Sequence, residues 1–309
     1  MLSATLGLIG AIVYGGADFL GGLASRRLGA VRVTALSAVA GLALIAAALP
    51  LIGGTFSAEA VQLGILSGVT GAIALSLLYG CLAIGPMSIL SPLTAVVSAL
   101  VPLTVGLVGG ERLSLVGCIA IGIALVAVVL VGFVPEKGAA RPRLLGLAMA
   151  VGAGAMIGLF LVIIDRTPDD SGLVPLLLNR ATSAAIMVSA VLVLVVVTRL
   201  RGPRSAKTAT ATASGAGHGA AGHGPVVLPA WAERAVLLAI ACGVVDAIAN
   251  VLLLLALRAG ELTVVSVLTA LYPAGTVILA AVLLRERVAP VQVVGLVLAF
   301  VAAGMLALA

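Results

Sequence analysis

Residues 68–113 read GVTGAIALSLLYGCLAIGPMSILSPLTAVVSALVPLTVGLVGGERL, and residues 243–288 read GVVDAIANVLLLLALRAGELTVVSVLTALYPAGTVILAAVLLRERV. The two stretches are copies. Gly68 to Val134 aligns with Gly243 to Ala309 at a constant offset of 175, without a gap, and 20 of the 67 pairs are identical. Ser91 meets Ser266, Leu93-Thr94-Ala95 meets Leu268-Thr269-Ala270, and Glu111-Arg112 meets Glu286-Arg287. Each copy is almost wholly apolar, so the chain reads as a duplicated membrane protein.

Composition agrees. The 309 residues are 62% hydrophobic and only 9% charged, with a mean hydropathy of +1.34. That is too little charge to solvate a surface. A membrane-crossing helix needs about 20 apolar residues. Ten runs qualify: 5–24, 33–53, 61–84, 87–109, 114–134, 144–164, 173–198, 234–257, 262–284 and 289–308. They are continuous rather than alternating, which selects helices over a β-barrel. The first run is read as a span, not a leader, because Arg26 and Arg27 follow it instead of preceding it.

The net charge of +6 does not point to nucleic acid, because the cations sit in loops between spans. The loops after the first, fifth, seventh and ninth spans hold 13 Lys and Arg; the opposite loops hold Arg112, Arg166 and Arg258. The positive-inside rule then places the richer loops in the cytoplasm and both termini outside, in a cell inner membrane. Residues 198–233 form the one long connection, rich in Ala, Gly, Thr and Ser; with Trp231 near its end, it reads as a flexible linker. Its His218 and His223 lack the partners a metal site needs. Cys81, Cys118 and Cys242 lie within spans without metal spacing and read as apolar filler. No cofactor or metal is expected.

The halves also match at their starts. Leu6-Gly7-Leu8 meets Leu145-Gly146-Leu147 and Gly15 meets Gly154, at an offset of 139. Each half therefore holds five helices. Five is odd, so the second half enters the membrane inverted. The expected fold is an all-α membrane protein of ten helices in two inverted five-helix repeats: 1–134, a short basic connection at 135–143, and 144–309. Many secondary transporters are built so, with the solute near the midplane between repeats.

Three segments carry a family resemblance: Tyr14-Gly15-Gly16-Ala17-Asp18-Phe19, Gly109-Gly110-Glu111-Arg112-Leu113-Ser114, and Arg285-Glu286-Arg287 followed by Val288-Ala289-Pro290 with Gln292 and Gly295. In these the chain resembles the EamA type of the drug/metabolite transporter superfamily. The first copy departs from it, with Gly117 and Ala120 where the second has Gln292 and Gly295. The resemblance implies a ten-helix carrier, commonly an exporter, without an ATP-hydrolysing domain, and leaves the substrate open. No Walker-type segment occurs.

Charge inside a membrane is costly and marks function by default. Asp18, Arg180 and Asp246 qualify, with Asn250 four residues after Asp246 on the same helix face. Arg180 would hold an anionic group, or else pair with a carboxylate to fix packing. Asp18 or Asp246 would take a proton or a cation. Tyr14, Tyr79 and Tyr272 are candidates to line the cavity. Pro92, Pro102 and Pro273 fall in corresponding helices, where each would kink the helix and free a carbonyl. Glu111, Arg112, Glu286 and Arg287 stand at span ends and read as caps and interface elements. The expected function is alternating-access export of a small organic solute coupled to proton entry, by a monomer or homodimer in the lipid bilayer. An uncoupled facilitator or a lipid flippase of the same fold is the alternative. No span contains His, and no Gly-x-Ser-x-Gly occurs, which argues against an enzyme.

Overall fold

The computed structural model describes residues 1–84, 87–132, 143–200, 230–283 and 288–308. His218, His223, Glu286 and Arg287 lie outside the described residues, as does most of the 135–143 connection. What is described is helical: α1 (Leu2–Leu28), α2 (Ala30–Ile52), α3 (Ala58–Ile84), α4 (Met87–Val108), α5 (Leu115–Gly132), α6 (Leu144–Asp165), α7 (Val174–Leu200), α8 (Ala230–Ala259), α9 (Leu262–Thr269), α10 (Tyr272–Leu283) and α11 (Pro290–Leu308). Nine segments among the described residues are long and apolar enough to cross a membrane; in α4 the apolar stretch is the shorter Pro92–Val108. Helices are what lipid demands, since each satisfies its own backbone.

The helices follow the ten apolar runs with three differences. α1 runs on to Leu28, so Arg26 and Arg27 fall in a helix and not in the connection after it. α8 begins at Ala230, so Trp231 and Arg234 belong to a helix rather than to the long connection. The run at 262–284 is broken into α9 and α10, two helices where one was expected. Pro273 has no N–H to offer the Thr269 carbonyl. Ala270 and Leu271 form a turn instead: the Leu271 N–H reaches the Leu268 carbonyl (3.1 Å), and the Ala274 N–H reaches the Leu271 carbonyl (2.9 Å). In the other half Pro92 and Pro102 do not break α4. Both rings are buried and used for packing. A Cβ on Gly132 of α5 would sit 2.8 Å from the Pro92 ring, and one on Gly158 of α6 would sit 3.1 Å from the Pro102 ring.

The pairings follow the duplication. α1 packs on α8, and α6 packs on α3; α2 packs on α8, and α7 packs on α3; α1 packs on α10, and α6 packs on α4. α2 meets α7, α4 meets α9 and α5 meets α11. Exchanging the helices of the two halves in order maps these pairings onto one another, as a two-fold relation between repeats does. The cores are rich in alanine, with few large side chains fully enclosed. Backbones can therefore approach closely, which is how helices associate without a water-driven force between them. Gly15 is the tightest point of α1. A Cβ there would lie 2.6 Å from both the Thr276 nitrogen and the Tyr272 carbonyl oxygen of α10.

One end of the bundle is tied together by its turns. The Thr55 N–H donates to the Asp170 carbonyl (3.0 Å), and the Thr55 hydroxyl donates to the Asp170 carboxylate (2.8 Å). The Leu173 N–H reaches the Gly53 carbonyl (3.3 Å). Gly172 has φ 53°, and a Cβ on it would overlap the Gly53 carbonyl, so backbone shape and proximity both require glycine there. Arg258, in the last turn of α8, donates to the Pro168 and Gly172 carbonyls and the Ser171 hydroxyl at 3.1–3.3 Å. The Ser3 side chain of α1 abuts Gly260 at the same end.

Glu111 completes this end. Its carboxylate accepts hydrogen bonds from the Leu262 N–H (2.9 Å) and the Thr263 N–H (3.1 Å). It caps α9, in the opposite half, not the α5 that follows it in sequence. α5 is capped by Ser114, whose hydroxyl accepts from the Gly117 N–H (3.0 Å). A carboxylate suits an α-helix N-terminus, where unpaired N–H groups and the helix dipole both favour negative charge.

Two outcomes test this packing. Gly15→Leu should sharply cut the yield of monodisperse folded protein, whereas Gly22→Leu, where an added Cβ meets nothing within 4 Å, should leave yield and Tm near wild type. Size-exclusion profiles and thermal melts decide it. Glu111→Ala should lower stability by about 0.5–2 kcal/mol, the usual cost of a lost helix cap, and Glu111→Gln should cost less; equal melting of all three proteins would discard the cross-repeat cap.

Candidate functional site

α1 places the first site residue. Positions 4, 7, 11 and 15 share one face of α1, and Ala4, Gly7, Ala11 and Gly15 are all buried there. Gly7 faces Leu268 and Gly15 faces α10. The same face then opens: Asp18 and Gly22, one and two turns on, are exposed. Ile9, also exposed, lies on the opposite face of the helix. The stripe of α1 that is sealed toward the tied end is thus open toward the turn at Gly29.

Asp18 does not look onto an outer surface. Asp246 of α8 is near enough to act on it electrostatically, and Tyr14, Cys242 and Tyr272 all feel its charge. An accessible carboxylate surrounded by groups from α8 and α10 lines a crevice. No hydrogen bond or ion pair engages Asp18 among the described residues.

α7 and α8 supply a charge pair. The Arg180 guanidinium bonds the Asp246 carboxylate through Nη2 and Oδ2, with the two side chains 13% and 28% exposed. The arginine is nearly enclosed while the carboxylate still meets the crevice. Arg180 Nε is sealed without an acceptor. Neutralisation of each charge by the other is the condition for holding both at this depth. The stem of Arg180 runs past α2, where a Cβ on Gly41 would lie 3.6 Å from its Cδ and 3.1 Å from the Gly243 carbonyl. At the residue just before it, the Asn179 amide donates to the Ser67 hydroxyl of α3 (3.0 Å), which fixes the rotation of α7.

The structure brings together Tyr14, Asp18, Arg180, Asp246 and Tyr272. Asn250 is buried, and its amide donates back along α8 to the Asp246 carbonyl (2.8 Å). Tyr79 belongs to α3, but its side chain lies outside the described residues. Pro273 sits beneath Tyr272 and sets the helix break. Glu111 serves the tied end, away from the cluster, and Arg112 is exposed. Cys242 was read from the sequence as filler, yet it belongs to the cluster: a Cβ on Gly21 would lie 3.0 Å from its Sγ, and its charged neighbours are Asp246, Asp18 and Arg180. The signal was its place one helical turn before Asp246. Arg258 was read only as a topology marker, and nothing in its spacing foretold that it ties down the 168–172 turn.

Comparisons with known proteins agree with this architecture. One solved crystal structure superposes with a TM-score of 0.71, covering 99% of this chain and 98% of its own, at 17% sequence identity; at that identity it shows the fold. A comparison with curated proteins gives no match. The EamA-like transporter family model matches residues 144–308, more than half of the 309 residues and the segment assigned above to the second repeat. This is a multi-pass membrane protein that belongs to the EamA-like transporter family.

Proposed function

We propose that the chain is a secondary carrier of a small organic solute, working by alternating access between two inverted repeats, 1–134 and 144–309, and exporting its solute against proton entry. One observation carries the reading: the face of α1 that bears Asp18 is sealed on the side of the tied turns and open on the other. A one-sided crevice that ends on charged groups from both halves is what a carrier offers in one of its two states. The Lys and Arg bias supports a cytoplasmic open side, from which this state would receive solute. Asp18 and Asp246 are the carboxylates available to carry a proton, and they face Tyr14, Cys242, Arg180 and Tyr272. The tied end must come apart in the opposite state, breaking its turn-to-turn hydrogen bonds and parting the apolar residues packed beneath them, Ile164, Leu173, Leu257 and Leu262 among them.

The test uses protein reconstituted into liposomes loaded with a pH-sensitive dye and challenged with pools of small solutes. Wild-type protein should move protons when its solute is present, and Asp18→Asn and Asp246→Asn should each abolish that movement. Solute flux that persists in both variants and ignores an uncoupler would replace coupled export with an uncoupled facilitator. Movement of labelled lipid without solute flux would favour a flippase. The ion pair has its own signature. Arg180→Met and Asp246→Asn should each lower stability, toward the lower end of the about 3–5 kcal/mol for stranding one charge of a buried pair. The double variant should recover much of that loss in a double-mutant cycle.

A further inference from the structure

The charges in the crevice do not balance. Arg180 is the one cation of the cluster among the described residues, and it is committed to Asp246. Asp18 is left over: it is exposed, and no ion pair or hydrogen bond engages it among the described residues. With all three ionised, the cluster carries a formal charge of −1. An anion entering here would meet the free carboxylate of Asp18 and the partly exposed carboxylate of Asp246, while the guanidinium is nearly enclosed and already engaged. Like charges juxtaposed in a partly desolvated site oppose binding strongly. Of the two roles the sequence suggests for Arg180, holding an anion or pairing with a carboxylate, the ion pair matches the second.

The surroundings of Asp18 suit a cation in two further ways. Tyr14 and Tyr272, from α1 and α10, both feel the Asp18 charge and are both half-buried. Aromatic faces beside a carboxylate stabilise an ammonium group by cation–π attraction. Next along the same face, Gly22 is exposed, and a Cβ there would meet no atom within 4 Å. The space beside the carboxylate is therefore empty and continuous with the open side.

We infer that the transported solute is an organic cation, docked by its amino group on the Asp18 carboxylate, with Gly22 forming the approach to it. The Arg180–Asp246 pair serves as a neutral wall. It keeps the site from being so negative that a cation could not leave. The assignment rests on the central-site reading above and narrows its substrate class.

Binding is tested on detergent-purified full-length protein by ligand-dependent Tm, with putrescine, agmatine and choline as cationic probes, succinate and glutarate as anionic ones, and butane-1,4-diol as the neutral control. At least one cation should raise Tm, and the anions and the diol should not. Asp18→Asn should weaken that cation by roughly tenfold or more, the loss expected for a charged hydrogen bond, and Asp18→Glu should restore part of it. Gly22→Phe should melt like wild type without ligand and lose the cation response. Stabilisation by the anions alone, no response to any of the three cations, or a cation response unchanged in Asp18→Asn would each overturn the assignment. Anion binding that disappears in Arg180→Ala would leave the central-site reading standing with a different substrate class. If no probe responds and no variant of the cluster alters solute-driven proton movement, both readings fall.

Discussion

Helices in lipid gain nothing from hiding apolar surface from one another, because lipid is as apolar as they are. Close contact must therefore supply the attraction, and close contact requires small side chains. The bundle depends on that constraint. Alanine dominates its enclosed positions, and at Gly15 the backbones of α1 and α10 meet with no room for a Cβ. The same constraint fixes where the polar groups fall. Once α1 is pressed against α8 and α10 along its first half, the continuation of that face can only look inward, and Asp18 stands on that continuation.

The two ends of the molecule are held by different means. At one end, turns from several hairpins exchange backbone and side-chain hydrogen bonds, with Arg258 and Glu111 reaching across. On the other side α1 presents an open face. The charged cluster lies between, reached from one side. Polar bonds of modest strength suit the closed end, since each is worth about 1 kcal/mol net and can be exchanged for water.

The sequence foretold the spans because a membrane makes their length and polarity absolute requirements; the ends of most helices fall close to the ends of the apolar runs. It also singled out Asp18, Arg180 and Asp246, since ionised groups stand out in such a background. Three things were not legible. The division of the ninth span depends on how one proline is accommodated, and Pro92 and Pro102 show that a proline alone does not break a helix. The partner of Glu111 is 151 residues away, so local spacing pointed to its own helix instead. The glycines all look alike in sequence, yet Gly15 is a close contact and Gly22 is open space. That difference belongs to the neighbour, not to the residue.

Asp246 has Gly71 as its counterpart at the 175-residue offset, and Asp18 has Ile157 at the offset of 139. A carrier assembled from two separate, identical, oppositely inserted chains would have to bear each of these charges twice or not at all. Joining the copies in one gene removed that obligation. Each half could then drift on its own, and the lone acids are where the drift shows. The two halves are therefore chemically unequal, with Asp18 carried by one and the Arg180–Asp246 pair by the other.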